Sequence, residues 1–485
     1  VVLRQREQVS CRLSRGARAQ QAGCGADLSS MSINPAGLGM YMSSDFGISP
    51  SLTWNNMQST YLGTKSDYSR TRFTLGNLGM AFNLYQGSGT LTSFTLGVGY
   101  SKLADFNTTS AAYGQGIDKS ITDVLAEYMN GVPLSSLGHP DNDPYQPFRR
   151  ADVGLWGGIL AYQTGILDPM SDAQDNKQYT VANNLATGSR TNPSMRNVNK
   201  GSIDEYSISG GFNIQNILYL GFTIGIQDIL YRNDNYYAET YDNNPLPLNG
   251  MNYIRSLHLD GTGVNFKFGA VVRPVENLRI GVAVHTPTLV SINEEYIEWM
   301  SADYKNTARG ELLDSPRSLN EYDINTPTRL LTGISYTLPG VGLITADYER
   351  VWYNRMKLRN MGTENWDFQQ TINNEVSSFY QPANNFRVGI EATPAQNFYI
   401  RAGYANYGEC IATRDAFNNM SSINSYENYS AGLGFRFQNM YVDLAYIYTE
   451  YKYAPYTMFY YGDPDYVVNP CLLYTSPSPR DRSVS

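Results

Sequence analysis

The run Leu218-Tyr219-Leu220-Gly221-Phe222-Thr223-Ile224-Gly225-Ile226-Gln227 alternates without a break. Leu218, Leu220, Phe222, Ile224 and Ile226 share one face; Tyr219, Gly221, Thr223, Gly225 and Gln227 share the other. That period of two marks a β-strand with one apolar face. The pattern returns as Leu278, Ile280, Val282 and Val284 against Arg279, Gly281, Ala283 and His285, and as Phe386, Val388 and Ile390 against Arg387, Gly389 and Glu391. It recurs once more where Ala431, Leu433, Phe435 and Phe437 oppose Ser430, Gly432, Gly434 and Arg436. Arg387 and Glu391 on the second face would be stranded charges in the core of a soluble sandwich. In a barrel whose outside meets lipid, the same residues point into the lumen. The reading is therefore all-β, a transmembrane antiparallel β-barrel.

Composition agrees. Charged residues make up 16% of the 485, aromatics 13%, with 39 tyrosines and 43 glycines. A soluble domain carries about 25% charge, whereas a barrel wall needs few charges and places Tyr at both membrane interfaces. No apolar run approaches the ~20 residues of a membrane-spanning helix, so a spanning structure has to be a closed barrel. A net charge of -8 without a basic cluster in the body of the chain disfavours nucleic acid.

Strand-like alternation appears near 46–62, 69–85, 91–107, 201–213, 217–239, 254–272, 278–296, 327–337, 342–356, 384–392, 397–410, 425–437 and 441–454. Tight turns stand at Gln86–Gly89, Ile214–Asn216, Arg273–Asn277, Leu338–Val341, Thr393–Gln396 and Gln438-Asn439, and they alternate with long polar segments, among them 108–199, 357–382 and 412–424. Short turns on one side and long loops on the other are the build of outer-membrane barrels. Such barrels have an even strand number, so 14 strands are expected, with the last missing from this chain.

Four regions follow. Residues 1–24 and 466–485 are expected to be foreign, the second including the adapter-like CLLYTSPSPRDRSVS, and the natural chain to carry a signal peptide. Residues 25–45 precede the barrel of 46–465. Within the long loop insertion at 108–199, Ile117, Ile121, Val124, Leu125 and Tyr128 follow helical spacing, with Asp118 and Ser120 as start signals. Leu155, Ile159, Tyr162 and Ile166, alongside Trp156 and Leu160, repeat it. Two short amphipathic helices are expected in an extracellular loop. They either pack on each other over the barrel mouth or form a capture groove for an apolar ligand, with Ile121, Leu125, Tyr128, Trp156, Ile159 and Leu160 as its candidate lining.

Ser32-Ile33-Asn34-Pro35-Ala36-Gly37-Leu38-Gly39, just before the first strand, resembles the NPA signature of the FadL/TodX family of outer-membrane transporters for long-chain fatty acids and other hydrophobic compounds. The resemblance covers roughly residues 25–465. It implies fourteen strands, an N-terminal hatch holding Asn34, Pro35, Ala36 and Gly37, and passive uptake of hydrophobic compounds such as long-chain fatty acids. It also implies release sideways through the wall past the hatch, by a monomer embedded in outer-membrane lipid. Pro35 restricts the Asn34 backbone, and Gly37 and Gly39 permit close approach to the wall. Lumen-facing Gly97 and Gly99 on the third strand are weak markers of a wall kink. The alternatives are a FadL-like barrel acting as a surface scaffold for secreted proteins, and a polar-solute porin.

Catalysis, metal and cofactor find no motif. His139, His258 and His285 are isolated, with His285 expected as a solvated lumen residue or an aid to a ligand headgroup. His258 and Asp260 before Gly261-Thr262-Gly263 lack the context of a phosphate loop, and Asp141-Asn142-Asp143 lacks a calcium-loop pattern. No CxxC pair is present.

Overall fold

The structure is a computed structural model that describes residues 28–61, 63–137, 143–305, 311–362, 366–411, 425–437, 440–451, 454–456, 458 and 471–476. His139, Asp141, Asn142, the turn at Gln438-Asn439 and the loop at 412–424 lie outside them.

Antiparallel pairing runs through neighbouring strands in chain order. These are β1 (Asp45–Tyr61), β2 (Thr64–Gln86), β3 (Leu91–Asp105), β4 (Arg190–Ile214), β5 (Leu218–Asp242) and β6 (Leu248–Val275). The next two positions are each split, into β7 (Leu278–His285) with β8 (Leu289–Tyr304), and β9 (Ser318–Asn325) with β10 (Arg329–Leu338). Then follow β11 (Gly342–Trp352), β12 (Pro382–Ala395), β13 (Phe398–Tyr407), β14 (Tyr426–Phe437) and β15 (Met440–Tyr451). β16 (Ala454–Tyr456) pairs with β17 (Cys471–Ser476), which pairs in turn with β1. Cys471–Ser476, read from sequence as foreign tail, thus stands beside β1, where a missing last strand was expected.

The molecule is built inside out. Phe222, Ile224 and Ile226 are 38%, 38% and 49% exposed, while Thr223 and Gln227 between them fall to 1% and 9%. Outward rings pair across strands in two rows. Phe94–Phe212 and Phe398–Phe435 lie near the short turns, with centroids 4.9 and 4.8 Å apart. Six residues further along the same strands come Tyr100–Tyr206 and Tyr404–Tyr429, at 5.6 and 5.3 Å. Between the rows the outward residues are mainly aliphatic, an arrangement suited to an apolar slab with aromatic edges. Among the described residues no helix is long and apolar enough to cross a membrane.

The short turns at Ile214–Asn216 and Leu338–Val341 form where the sequence reading puts them, for stereochemical reasons. Gln215 and Asn216 both take positive φ, 52° and 57°, in the turn that the Ile217 N–H closes on the Ile214 carbonyl at 3.0 Å, and Gly340 does so at 73°.

Three expectations need correction. Both ends of the 108–199 segment belong to the wall: Thr108–Tyr113 pairs with residues 194–199, and β4 begins at Arg190 and pairs with β5 well beyond the apolar band. The strand read as 278–296 is broken at Thr286-Pro287-Thr288, since proline cannot donate to the ladder. The loop read at 357–382 contains a helix, Trp366–Phe379, whose Asn373 side chain brackets the backbone N–H and C=O of Leu358 at 2.8 and 3.0 Å.

Candidate functional site

The interior is layered. Its floor is helix α1 (Ser30–Ile33) followed by a 3-10 turn, Pro35–Met40. Asn34 starts that turn, its Oδ1 accepting from the Ala36 N–H at 3.1 Å, and Pro35 sits where a missing N–H costs nothing. The segment lies directly on glycines of the wall. A Cβ on Gly221 would fall 2.2 Å from the Pro35 carbonyl carbon, and one on Gly211 2.5 Å from the Leu38 Cβ. Gly97 and Gly99 face Met31 in the same way, so their missing side chains make room for the floor. The β3–β4 ladder stays in register across both, and no kink marks the wall there. Hydrogen bonds fasten the floor to several strands: Ser32 Oγ to Ser101 Oγ (3.1 Å), Thr223 Oγ1 to the Met31 carbonyl (2.9 Å) and Asn34 Nδ2 to the Val282 carbonyl (3.4 Å). His285 Nε2 meets the Ile33 carbonyl at 2.7 Å. This corrects both sequence readings of His285, which is buried against the floor rather than solvated or free for a headgroup.

Above the floor runs a belt of buried charge. Glu205 pairs with Lys267 and accepts from Gln227 (3.1 Å) and Asn265 (3.4 Å). Further round, Glu349 pairs with Arg387, stands 3.5 Å from Arg329 and accepts from Asn385 at 3.1 Å. Removing one member of such a set leaves an uncompensated buried charge, so the belt is a polar barrier held together by its own pairing.

Above the belt the inward faces become rich in aliphatic and aromatic side chains, with Asn233, Asn235, Glu239, Glu294 and Glu298 buried among them. β5 continues its inward row as Ile229, Tyr231, Tyr237 and Tyr241, and β6 and β8 contribute Met251, Tyr253, Leu257, Leu259, Ile292 and Tyr296. Into this space drop helices α2 (Ile121–Met129) and α3 (Trp156–Gln163). α2 opens with a capping box between Ser120 and Asp123. Glu239 on β5 completes the cap, accepting from the Ile121 N–H at 2.8 Å and from the Ser120, Tyr237 and Tyr241 hydroxyls. This carboxylate stands beyond the apolar outer band, where the outward row of β5 has become Arg232 and Asp234. With no cation among its partners, burial holds it above its ordinary value. α3 lies against α2 through Gly158, where a Cβ would be 2.5 Å from Met129 Cγ. Trp156 is edge-on to Phe148 (5.9 Å) and tilted to Tyr296 (6.3 Å).

All six residues singled out as a capture groove therefore meet in one cluster. Ile121, Leu125, Trp156, Ile159 and Leu160 are at most 5% exposed, and Tyr128 packs at the edge. They contact one another and the wall. The inward tyrosines of β5, β6 and β8 are the partners that sequence reading missed, although extending the alternation past Gln227 puts Ile229 and Tyr231 on the same inner face. Asn34, Pro35 and Ala36 are buried in the floor, with Gly37 beside them.

No protein-family model matches the chain, and no curated protein matches it. Among solved structures, a Pseudomonas aeruginosa FadL homologue matches over 96% of this chain and 94% of its own, at 13% identity and a TM-score of 0.51. The fold is that of this FadL homologue. The Pseudomonas putida toluene transporter TodX aligns over 96% of this chain and 95% of its own, at 12% identity and a TM-score of 0.46. At such identities the FadL likeness speaks for architecture alone.

Proposed function

We propose that the protein is a monomeric β-barrel of a bacterial outer membrane that admits hydrophobic compounds, long-chain fatty acids among them, by passive diffusion. The observation that carries this reading is the layering inside an inside-out wall. An apolar upper chamber, formed with α2 and α3, stands over a belt of paired charges and a floor stitched to the wall. Apolar solutes partition into the chamber on the strength of buried area, whereas the belt and floor bar a straight aqueous path. Ile121, Leu125, Tyr128, Trp156, Ile159 and Leu160 form the capture surface once α2 and α3 part, and Asn34–Gly37 belong to the hatch. Release is sideways into lipid. No cofactor, metal or catalytic step is part of this reading.

A second reading, a surface scaffold for secreted proteins, is favoured by the dense packing of the upper chamber. Uptake of a labelled long-chain fatty acid and of a labelled aromatic hydrocarbon separates the two, in cells that lack their own channel for such compounds. Uptake above the empty host supports transport. A folded, surface-exposed barrel that moves neither compound leaves the scaffold.

A further inference from the structure

The wall is interrupted at one level across neighbouring strands, and proline stands at the interruption. Thr286-Pro287-Thr288 separates β7 from β8, and Thr326-Pro327-Thr328 separates β9 from β10. Pairing has the same register on both sides of the gap, with His285 opposite Arg329 below it and Leu289 opposite Asn325 above it. Pro287 therefore faces Pro327. On the next strand β11 ends in the 3-10 turn Tyr353–Arg355, and beyond it Pro382 faces Trp352.

None of these prolines donates to the ladder, and threonine hydroxyls take over part of the pairing. The Thr288 N–H donates to Thr326 Oγ1 (2.8 Å), and the Phe266 N–H to Thr286 Oγ1 (3.0 Å). One direct backbone bond, Thr326 N–H to the Thr288 carbonyl at 3.0 Å, crosses the gap beside the facing prolines.

The height of the interruption is informative. Just below it, His285 holds the floor and Arg329 belongs to the charged belt; just above it, Val290 and Ile292 line the apolar chamber. Outside, immediately below, lies an apolar groove of 550 Å³ lined by Val282, Thr332, Ala346, Tyr348 and Phe386.

We propose that the Pro287/Pro327 seam is where the wall parts to let an apolar compound pass from the upper chamber into the outer groove and the surrounding lipid. This rests on the transport reading above and places the exit away from the stretch of β3 over the floor, whose ladder to β4 keeps its register from Ser93 to Lys102. An apolar compound descending the chamber reaches the paired charges and the floor at the level where a single main-chain bond, Thr326 N–H to the Thr288 carbonyl, spans the gap between these two strands. In lipid each unpaired backbone group is costly, so a segment that already lacks donors opens at least cost.

The test is a reversible cross-link of the seam. Leu289→Cys with Asn325→Cys, directly opposed across it, closes the seam on oxidation; Val98→Cys with Ile208→Cys closes the β3–β4 ladder instead. Uptake of a labelled long-chain fatty acid and of a labelled aromatic hydrocarbon is measured before oxidation, after it and after reduction. The expected result is loss of uptake to the empty-host level in the oxidised seam variant, recovery on reduction, and unchanged uptake in the oxidised β3–β4 variant. Full uptake through the oxidised seam, or loss only in the β3–β4 variant, overturns the seam while leaving transport standing. Wild-type protein that is folded and moves neither compound overturns the transport reading and the seam with it.

Discussion

Gly221 shows how little room the wall leaves. Its inward face carries the Pro35–Ala36 backbone at a distance that a Cβ would violate, and backbone, unlike the end of a flexible side chain, has nowhere to go. Overpacking of this kind costs about 1–3 kcal/mol, and the floor is the movable partner. Gly221→Val is therefore expected to insert and keep heat-modifiable mobility while unseating the floor, so that a small polar solute leaks through vesicles bearing it. A variant as tight to that solute as the wild type would mean that Pro35 does not rest on Gly221. The residue-scale signal in sequence was the glycine-rich inner face. Its cause, a segment lying on it, depends on a contact between residues 35 and 221 that local reading does not reach.

At the scale of elements, α2 depends on a carboxylate far away in the chain. Ser120 and Asp123 are readable start signals, yet Glu239, which takes the Ile121 N–H, lies on a strand 118 residues later. Because burial raises the Glu239 carboxyl, the folded protein holds its proton more tightly than the unfolded chain does. Its contribution is then most favourable at acid pH and is lost as pH rises through the ordinary carboxylate range towards the raised folded value. Amide exchange of Ile121–Met129, corrected for its intrinsic pH dependence, is expected to be slower at acid than at neutral pH. Glu239→Gln should flatten that difference. A slope that persists unchanged in the variant would assign it to another group. The same scale explains the missed helix at Trp366–Phe379. Most of its residues face solvent, so it has no long apolar stripe, and the bracket from Asn373 to Leu358 is invisible in one dimension.

For the whole molecule, the controlling fact is that, in the band between the two aromatic rows, the apolar side of the described strands faces outward. Ile224 is 38% exposed amid other aliphatic side chains, which in water would form an adhesive patch and in lipid is the favourable surface. Ile224→Arg is expected to cost about 2–4 kcal/mol if that band sits at the bilayer midplane. Reversible urea unfolding in lipid vesicles would measure it. A change near zero would place Ile224 outside the apolar slab and undercut the assignment of the band.

Local sequence determined the period-two strands, the short turns at Ile214–Asn216 and Leu338–Val341, and the helical spacing of α2 and α3, because each rests on stereochemistry within a few residues. It also determined that polar and small residues share one face, as at Tyr219–Gln227, which is enough to separate a lipid-facing wall from a sandwich. Tertiary structure alone decided what meets inside: Glu205 with Lys267, Glu349 with Arg387, His285 with the Ile33 carbonyl, and the apolar faces of α2 and α3 with the inward tyrosines. It alone brought Pro287 opposite Pro327. These pairings join strands distant in sequence, and cross-strand register is set by how the wall aligns as a whole, a property that no single segment carries.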